Sequence, residues 1–245
     1  MCTTCGCGSE EMKGPKHAHT HDPHVTLLLE QAILAENDKL AMHNRTYFTQ
    51  KANLAINISS SPGSGKTSLL EATIRHLDTQ TVIKVVEGDQ HTELDSLRIK
   101  DAGADSYQIN TGKVCHLDAH MLNHALEHLS FTDKGIIFIE NVGNLICPAL
   151  FDLGEHLRVV LVSVTEGEDK PLKYPAMFYR ADLVIINKID LLPHLLFDIS
   201  RLKRNIKQIN SKAPIIELSS ITMSGLPIWL TWLATNFYQT FNLSL

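Results

Sequence analysis

The chain has 245 residues, 44% hydrophobic and 20% charged, which is enough apolar material for one large α/β domain or two small ones. Its 22 basic and 27 acidic side chains leave a net charge of −5, which argues weakly against bulk nucleic-acid binding but says nothing of a single bound nucleotide. No apolar run approaches bilayer-spanning length and the first residues carry no apolar signal-peptide core, so a cytoplasmic protein without membrane insertion is expected.

The first stretch, MCTTCGCG, holds Cys2, Cys5 and Cys7, three of five cysteines. An odd count of thiols in a reducing compartment points away from disulfide staples and towards metal or redox chemistry. No βα unit precedes the Cys-x-x-Cys pair to position it for redox work, so metal is favoured. Removal of Met1 would add the α-amine of Cys2 to the three thiolates. That one-nitrogen, three-sulfur set suits square-planar Ni2+ better than tetrahedral Zn2+. Residues 1–24, which continue into HAHTHDPH with His17, His19, His21 and His24, read as a flexible Cys/His-rich metal-binding tail. Residues 25–245 read as the folded domain. It starts with an amphipathic helix from Val25 to about Asn44, with Leu27, Leu28, Ile33, Leu34, Leu40 and Ala41 at helical spacing.

A strand, NLAINIS, then runs into SPGSGKT and the helix SLLEATIRHL. Strand, glycine-rich loop and helix together are the context of a phosphate-binding loop. Backbone N–H groups of Gly63, Ser64, Gly65, Lys66, Thr67 and Ser68 can turn onto phosphate oxygens at a helix N-terminus. Lys66 can reach the β- and γ-phosphates and the Thr67 hydroxyl can ligate Mg2+. The usual G-x-x-x-x-G-K-[ST] pattern would place glycine at position 60, where this chain has Ser60.

The strand TVIKVVEG ends at Asp89, and after a helix around LDSLRIKDAG and a short strand SYQIN a long helix is expected from about Cys115 to Leu129. His116, His120, His124 and His128 recur every four residues there. On a helix they form one face, either a metal ladder or, as the plainer expectation, a solvated face with only His116 at a site. The strand GIIFIE ends at Glu140, followed by Asn141, Val142 and Gly143. Carboxylates at strand ends beside a phosphate loop, Asp89 and Glu140, can hold Mg2+ or orient the attacking water, though Asp89 also fits a solvated turn. The Gly143 N–H can touch a γ-phosphate. Cys147 follows four residues later, and with Cys115 and His116 it makes a soft ligand set for Zn2+ or Ni2+, one ligand short of a tetrahedron; two buried structural cysteines remain the alternative.

The strands RVVLVSV, DLVIINK and PIIELSS and a last helix from about Leu226 complete the alternation. Near-continuous Val/Ile runs between helices predict a doubly wound, mostly parallel α/β sheet of P-loop NTPase type. NKID supplies Asn187, Lys188 and Asp190 of a guanine-recognition motif. The Asp190 carboxylate can accept from the N1–H and N2 amino group of guanine and would repel adenine, while Asn187 braces the loop and Lys188 lies along the base. The loop after the next strand, at Ser219 and Ser220, is expected beside the base.

The chain resembles the HypB family of nickel-incorporation GTPases of [NiFe]-hydrogenase maturation. The motifs carrying the resemblance are MCTTCGCG, the His-rich tail, SSPGSGKTSLLE, VVEGDQ, TGKVCHLDA, FIENVGNLICPA, TEGEDKPLKYP and NKIDLLP, in order along nearly the whole chain. The resemblance implies a SIMIBI-like GTPase with slow GTP hydrolysis and a GTP-dependent homodimer. It also implies delivery of Ni2+ to a hydrogenase large-subunit precursor, with a HypA-type nickel/zinc accessory protein as partner. It further implies a tight nickel site at Cys2, Cys5 and Cys7 and a second Zn2+ or Ni2+ site at Cys115, His116 and Cys147. The segment SSITMSGL departs from the expected Ser-Ala-Lys-like turn, and four tail histidines are few for nickel storage. The urease-accessory GTPases share the P-loop and N-K-x-D but are not expected to begin CxxCGC. A non-enzymatic nickel buffer is opposed by Lys66, Thr67, Glu140 and Asp190.

Overall fold

The computed structural model describes residues 23–78, 81–89, 94–112, 114–129 and 134–242. The expectations for Cys2, Cys5, Cys7, His17, His19 and His21 therefore fall outside the described residues.

Seven parallel strands form one sheet in the order β3-β2-β4-β1-β5-β6-β7. They are β1 (Asn53–Ser60), β2 (Val82–Asp89), β3 (Asp105–Asn110), β4 (Gly135–Glu140), β5 (Leu157–Ser163), β6 (Leu183–Asn187) and β7 (Ile215–Glu217). The helices are α1 (Pro23–Gln50), α2 (Lys66–His76), α3 (Leu94–Ala102), α4 (Ala119–His128), the short α5 (Lys170–Lys173) and α6 (Pro175–Tyr179), α7 (Ile199–Ile209) and α8 (Leu226–Phe241). Alternate strand residues feed two cores. Leu54, Ile56 and Ile58 of β1, with Val85, Phe138 and Leu161, pack on α2, α3 and α8, where Trp229 Nε1 donates to Thr73 Oγ1 at 2.8 Å. On the opposite face Ala55, Val86, Ile137 and Ile139 pack on α1 and α4, and Val160, Val162, Val184 and Ile186 pack on α6 and α7. The doubly wound fold predicted from the Val/Ile runs is the one observed. No described helix is long and apolar enough to cross a membrane.

Two boundaries differ from expectation. α1 runs six residues beyond Asn44 because its last turns are anchored. Asn44 Nδ2 donates to Ala119 O and Leu153 O, Arg45 pairs with Asp152 at 2.7 Å, and Phe48 is fully buried. The helix expected from Cys115 starts only at Ala119, where the Asp118 carboxylate caps it by accepting from Met121 N at 2.7 Å. Cys115 and His116 thus sit in the turn before α4, and His116 is not on the face that carries His120, His124 and His128.

β1 lies between β4 and β5, strands reached by the chain from opposite directions. The crevice over the C-terminal ends of strands at such a switch point is where open α/β sheets bind ligands.

Candidate functional site

The loop after β1 has the backbone its sequence asks for. Gly65, the residue before α2, has φ 99°, a left-handed conformation open to glycine, and a Cβ there would lie 2.6 Å from Asn187 Nδ2. Asn187 instead donates to Ser64 O at 2.9 Å, and Lys188 Nζ donates to Gly63 O at 2.6 Å. The NKID segment and the phosphate loop are therefore tied directly together. The Asn187 Oδ1 accepts from Lys188 N at 2.8 Å and from Ser220 N and Oγ at 3.3 and 3.2 Å, drawing the loop after β7 to the same point. Ser219 turns inward: its Oγ accepts from Ile221 N and Thr222 N and shapes the turn. Oδ1 of Asp190 is buried with no hydrogen-bond partner among the described residues.

At the phosphate end, Lys66 is 9% exposed, with Nζ 3.3 Å from Ser60 Oγ and 3.8 Å from Glu140 Oε1. Ser60, the departure from the usual glycine, thus helps hold the loop lysine. Thr67 Oγ1 donates to the same Glu140 oxygen at 2.9 Å. The Ser68 hydroxyl accepts from Arg98 Nη2 at 3.1 Å, so what it offers an anion is its backbone N–H in the first turn of α2. Gly143 lies against the loop: a Cβ on it would meet Pro62 N, Cα and Cγ at 3.0 Å. A cavity of about 280 Å³ opens here, lined by Gly63, Lys66, Asp89, Asp95, Glu140 and Gly143 among others. Its cation–carboxylate lining fits a phosphate chain with Mg2+. Glu140 Oε2 is buried with no hydrogen-bond partner among the described residues, as an oxygen waiting for a cation would be.

Sequence reasoning missed Glu87, Glu166 and Lys170. Glu87 pairs in register with Glu140 across β2 and β4, so both carboxyls face α2. It is 2% exposed. Burial, and then the Glu140 charge, push its pKa up to about 9, and burial raises Glu140 too. Glu166 lies 2.7 Å from Ser64 Oγ, and Lys170 Nζ donates to Ser61 Oγ at 3.1 Å, which gives TEGEDK contact with the phosphate loop.

A pH dependence follows. An acid whose folded pKa is raised from 4.5 to about 9 leaves stability intact below pH 4.5 and removes it as pH rises towards 9. In the nucleotide-free protein Glu87→Gln should flatten that decline, leaving the slope due to Glu140. It should raise stability near pH 8 by on the order of 1–3 kcal/mol, the range for a buried polar group without its partner. Thermal melts across pH would refute this if the two proteins declined in parallel.

Cys115, His116 and Cys147 converge although 30 residues separate His116 from Cys147: their ligand atoms all lie within 4.8 Å of one another, and the two Sγ atoms are 2.9 Å apart. All three are partly exposed. His116 stacks on Phe151 with ring centroids 4.0 Å apart, its Nδ1 has no partner among the described residues, and burial lowers its pKa. A neutral imidazole beside two thiols is a suitable set for Zn2+ or Ni2+. The loop after β4 ties this trio to the phosphate side. Asn141 Oδ1 accepts from Leu117 N at 3.2 Å, and Asn144 Nδ2 donates to Cys115 O at 3.2 Å.

Residues 54–217 match the family model described as CobW/HypB/UreG, nucleotide-binding domain. The hydrogenase maturation factor HypB of Azotobacter vinelandii is 49% identical over 223 residues, 90% of this chain and 74% of that protein. The crystal structure of the hydrogenase maturation factor HypB from Archaeoglobus fulgidus superposes with a TM-score of 0.78 at 44% identity, covering 83% of this chain and all of that one. The structure of HypB from Helicobacter pylori in complex with nickel gives 0.80 at 36% identity, over 84% of this chain and 97% of that one.

Proposed function

The chain belongs to the HypB family of hydrogenase maturation factors and is a P-loop GTPase, and from that premise we propose that its GTP state governs the holding and release of Ni2+ bound for a [NiFe]-hydrogenase large-subunit precursor. Lys66, the backbone of residues 63–68 and the Gly143 N–H bind the phosphates. Asp190 reads guanine, with Asn187, Lys188, Ser219 and Ser220 shaping its pocket. Thr67, Asp89 and Glu140 would hold Mg2+, which supplies charge neutralisation on the phosphates when bound. Asp89 and Glu140 also orient the attacking water.

One observation carries this reading: a single short segment, 140–147, runs from the carboxylate that touches Lys66 and Thr67 to a thiol of the Cys115/His116/Cys147 trio. Gly143, packed on Pro62, lies midway. Any shift of this loop on loss of the γ-phosphate changes the position of Cys147 relative to Cys115 and His116. Ligation tolerates only about 0.2 Å of misfit, so affinity changes with it. Three ligands per chain leave room for a second subunit, and a GTP-dependent homodimer fits that vacancy. The trio takes Ni2+ or Zn2+. Cys2, Cys5 and Cys7 enter as a separate tight nickel site, and a HypA-type nickel/zinc accessory protein as the partner in transfer; both rest on family membership and the sequence motifs.

Nickel affinity of protein with Cys2, Cys5 and Cys7 changed to serine should differ by roughly 10-fold between GDP and a non-hydrolysable GTP analogue, within the usual range of coupling between sites. Cys147→Ala should remove the difference while nucleotide affinity stays nearly unchanged. Equal nickel affinity in the two nucleotide states would sink the coupling.

A further inference from the structure

We propose that His124 and His128 on α4 form an exposed chelate for a borderline divalent transition-metal ion, Ni2+ foremost, separate from the Cys115/His116/Cys147 trio. Residues four apart on a helix stand one above the other on one face, the arrangement by which paired histidines bind metal in helical motifs. The two ring centroids are 4.8 Å apart and the planes are tilted by 59°. Nitrogens sharing one cation each lie about 2.0–2.1 Å from it, so the rings must come this close. The tilt lets their edges turn to a common point, which parallel stacking would prevent.

The pair is also held in place. Tyr107 of β3 stacks on His128 with centroids 5.2 Å apart and planes 2° from parallel, which fixes that ring. Tyr107 is itself packed against the core beneath α4. Ala119, Leu122, Ala125 and Leu126 bury the opposite face of the helix, so it cannot roll and the histidines stay outward. Holding the rings before the metal arrives reduces the entropy lost on chelation. Imidazole is a common ligand for Ni2+, Zn2+ and Cu2+.

Position suggests a use. His120 is exposed one turn nearer the start of α4, and His116 of the trio lies just before that start. His120, His124 and His128 therefore step along α4, about 6 Å of rise apart, towards the end of the helix nearest the thiol site. Two protein ligands completed by water hold an ion loosely enough to release it. As a loading station for cargo nickel the site rests on the function proposed above; as a metal site it does not.

The test uses the full-length, 15N-labelled chain titrated with Ni2+ alone near neutral pH. A nitrogen- and water-ligated Ni2+ is paramagnetic and broadens nearby amide signals. Broadening should appear at Tyr107 and residues 124–128, and His124→Gln/His128→Gln should abolish it. That variant should also lose one micromolar equivalent in equilibrium dialysis, while its GTP turnover and thiolate-to-nickel absorption stay as in the parent. Broadening that persists in the variant, or that never reaches Tyr107 and residues 124–128 with Ni2+ in excess, overturns the chelate. With Cys2, Cys5 and Cys7 also changed to serine, the thiolate absorption that remains reports on the trio, so its absence beside an intact histidine site would count against the cargo reading alone.

Discussion

Asp190→Asn should weaken GTP binding by about 100-fold and make xanthosine triphosphate the preferred ligand. Guanine offers two donors on one edge, N1–H and the N2 amino group. In the function proposed above Asp190 accepts from both with its carboxylate, whose Oδ1 is buried and without a hydrogen-bond partner among the described residues. A charged hydrogen bond contributes roughly 1.5–3 kcal/mol, and a desolvated donor left facing another donor adds to the loss. The asparagine amide places an N–H against the N2 amino group. Xanthine carries a carbonyl at that position, so the same amide can donate to it while its oxygen still accepts from N1–H. Titration calorimetry with both nucleotides decides the matter, and an unchanged preference for GTP would place base recognition elsewhere. The substitution is conservative for the fold: Asn187, not Asp190, makes the bonds that join the phosphate loop, its own loop and Ser220.

Much of this site is legible in the sequence because its signals are local. SPGSGKT between a Val/Ile-type strand and an amphipathic helix needs only neighbouring residues to be read, and the left-handed Gly65 agrees with it. The same holds for NKID at the end of β6. The site that depends on strand order is less legible. Glu87 lies two residues before Asp89, and nothing local marks it as different from a solvated acid. It becomes a buried partner of Glu140 only because β4 inserts between β2 and β1, pairing Glu87 with Glu140 in register. The start of α4 differs from the one expected near Cys115 because the backbone turns helical only after Asp118, whose carboxylate caps the helix by accepting from Met121 N. Residue type names Cys115, His116 and Cys147 as a ligand set but leaves two buried structural cysteines open; their convergence is a product of the fold. The hydrogen bonds from Asn141 and Asn144 that carry it are not legible, since they join two loops through side chains with no spacing rule.

Lys66→Ala should reduce GTP turnover by on the order of 1,000-fold, the loss usual when a group aimed at developing charge is removed. Glu140→Gln should cost about 100-fold in turnover and keep GTP binding, since the amide no longer holds the cation side of the site. The two side chains also differ in what they do to the fold. Lys66 and Glu140 are both nearly buried, 3.8 Å apart, and the Glu140 oxygen that faces Lys66 also accepts from Thr67. Removing the lysine leaves a buried carboxylate opposite Glu87 with its main positive neighbour gone, and breaking one side of a buried pair costs roughly 3–5 kcal/mol. Glu140 answers by holding its proton more firmly, in the direction burial already pushes it. Lys66→Ala should therefore melt well below the parent at neutral pH and approach it as the pH falls. Lys66→Ala/Glu140→Gln should recover much of the melting temperature while turnover stays lost. That pattern separates a catalytic pair from a structural one. If the double variant regained turnover together with stability, the single variants would have failed through the fold, and Lys66 and Glu140 would have no part in hydrolysis.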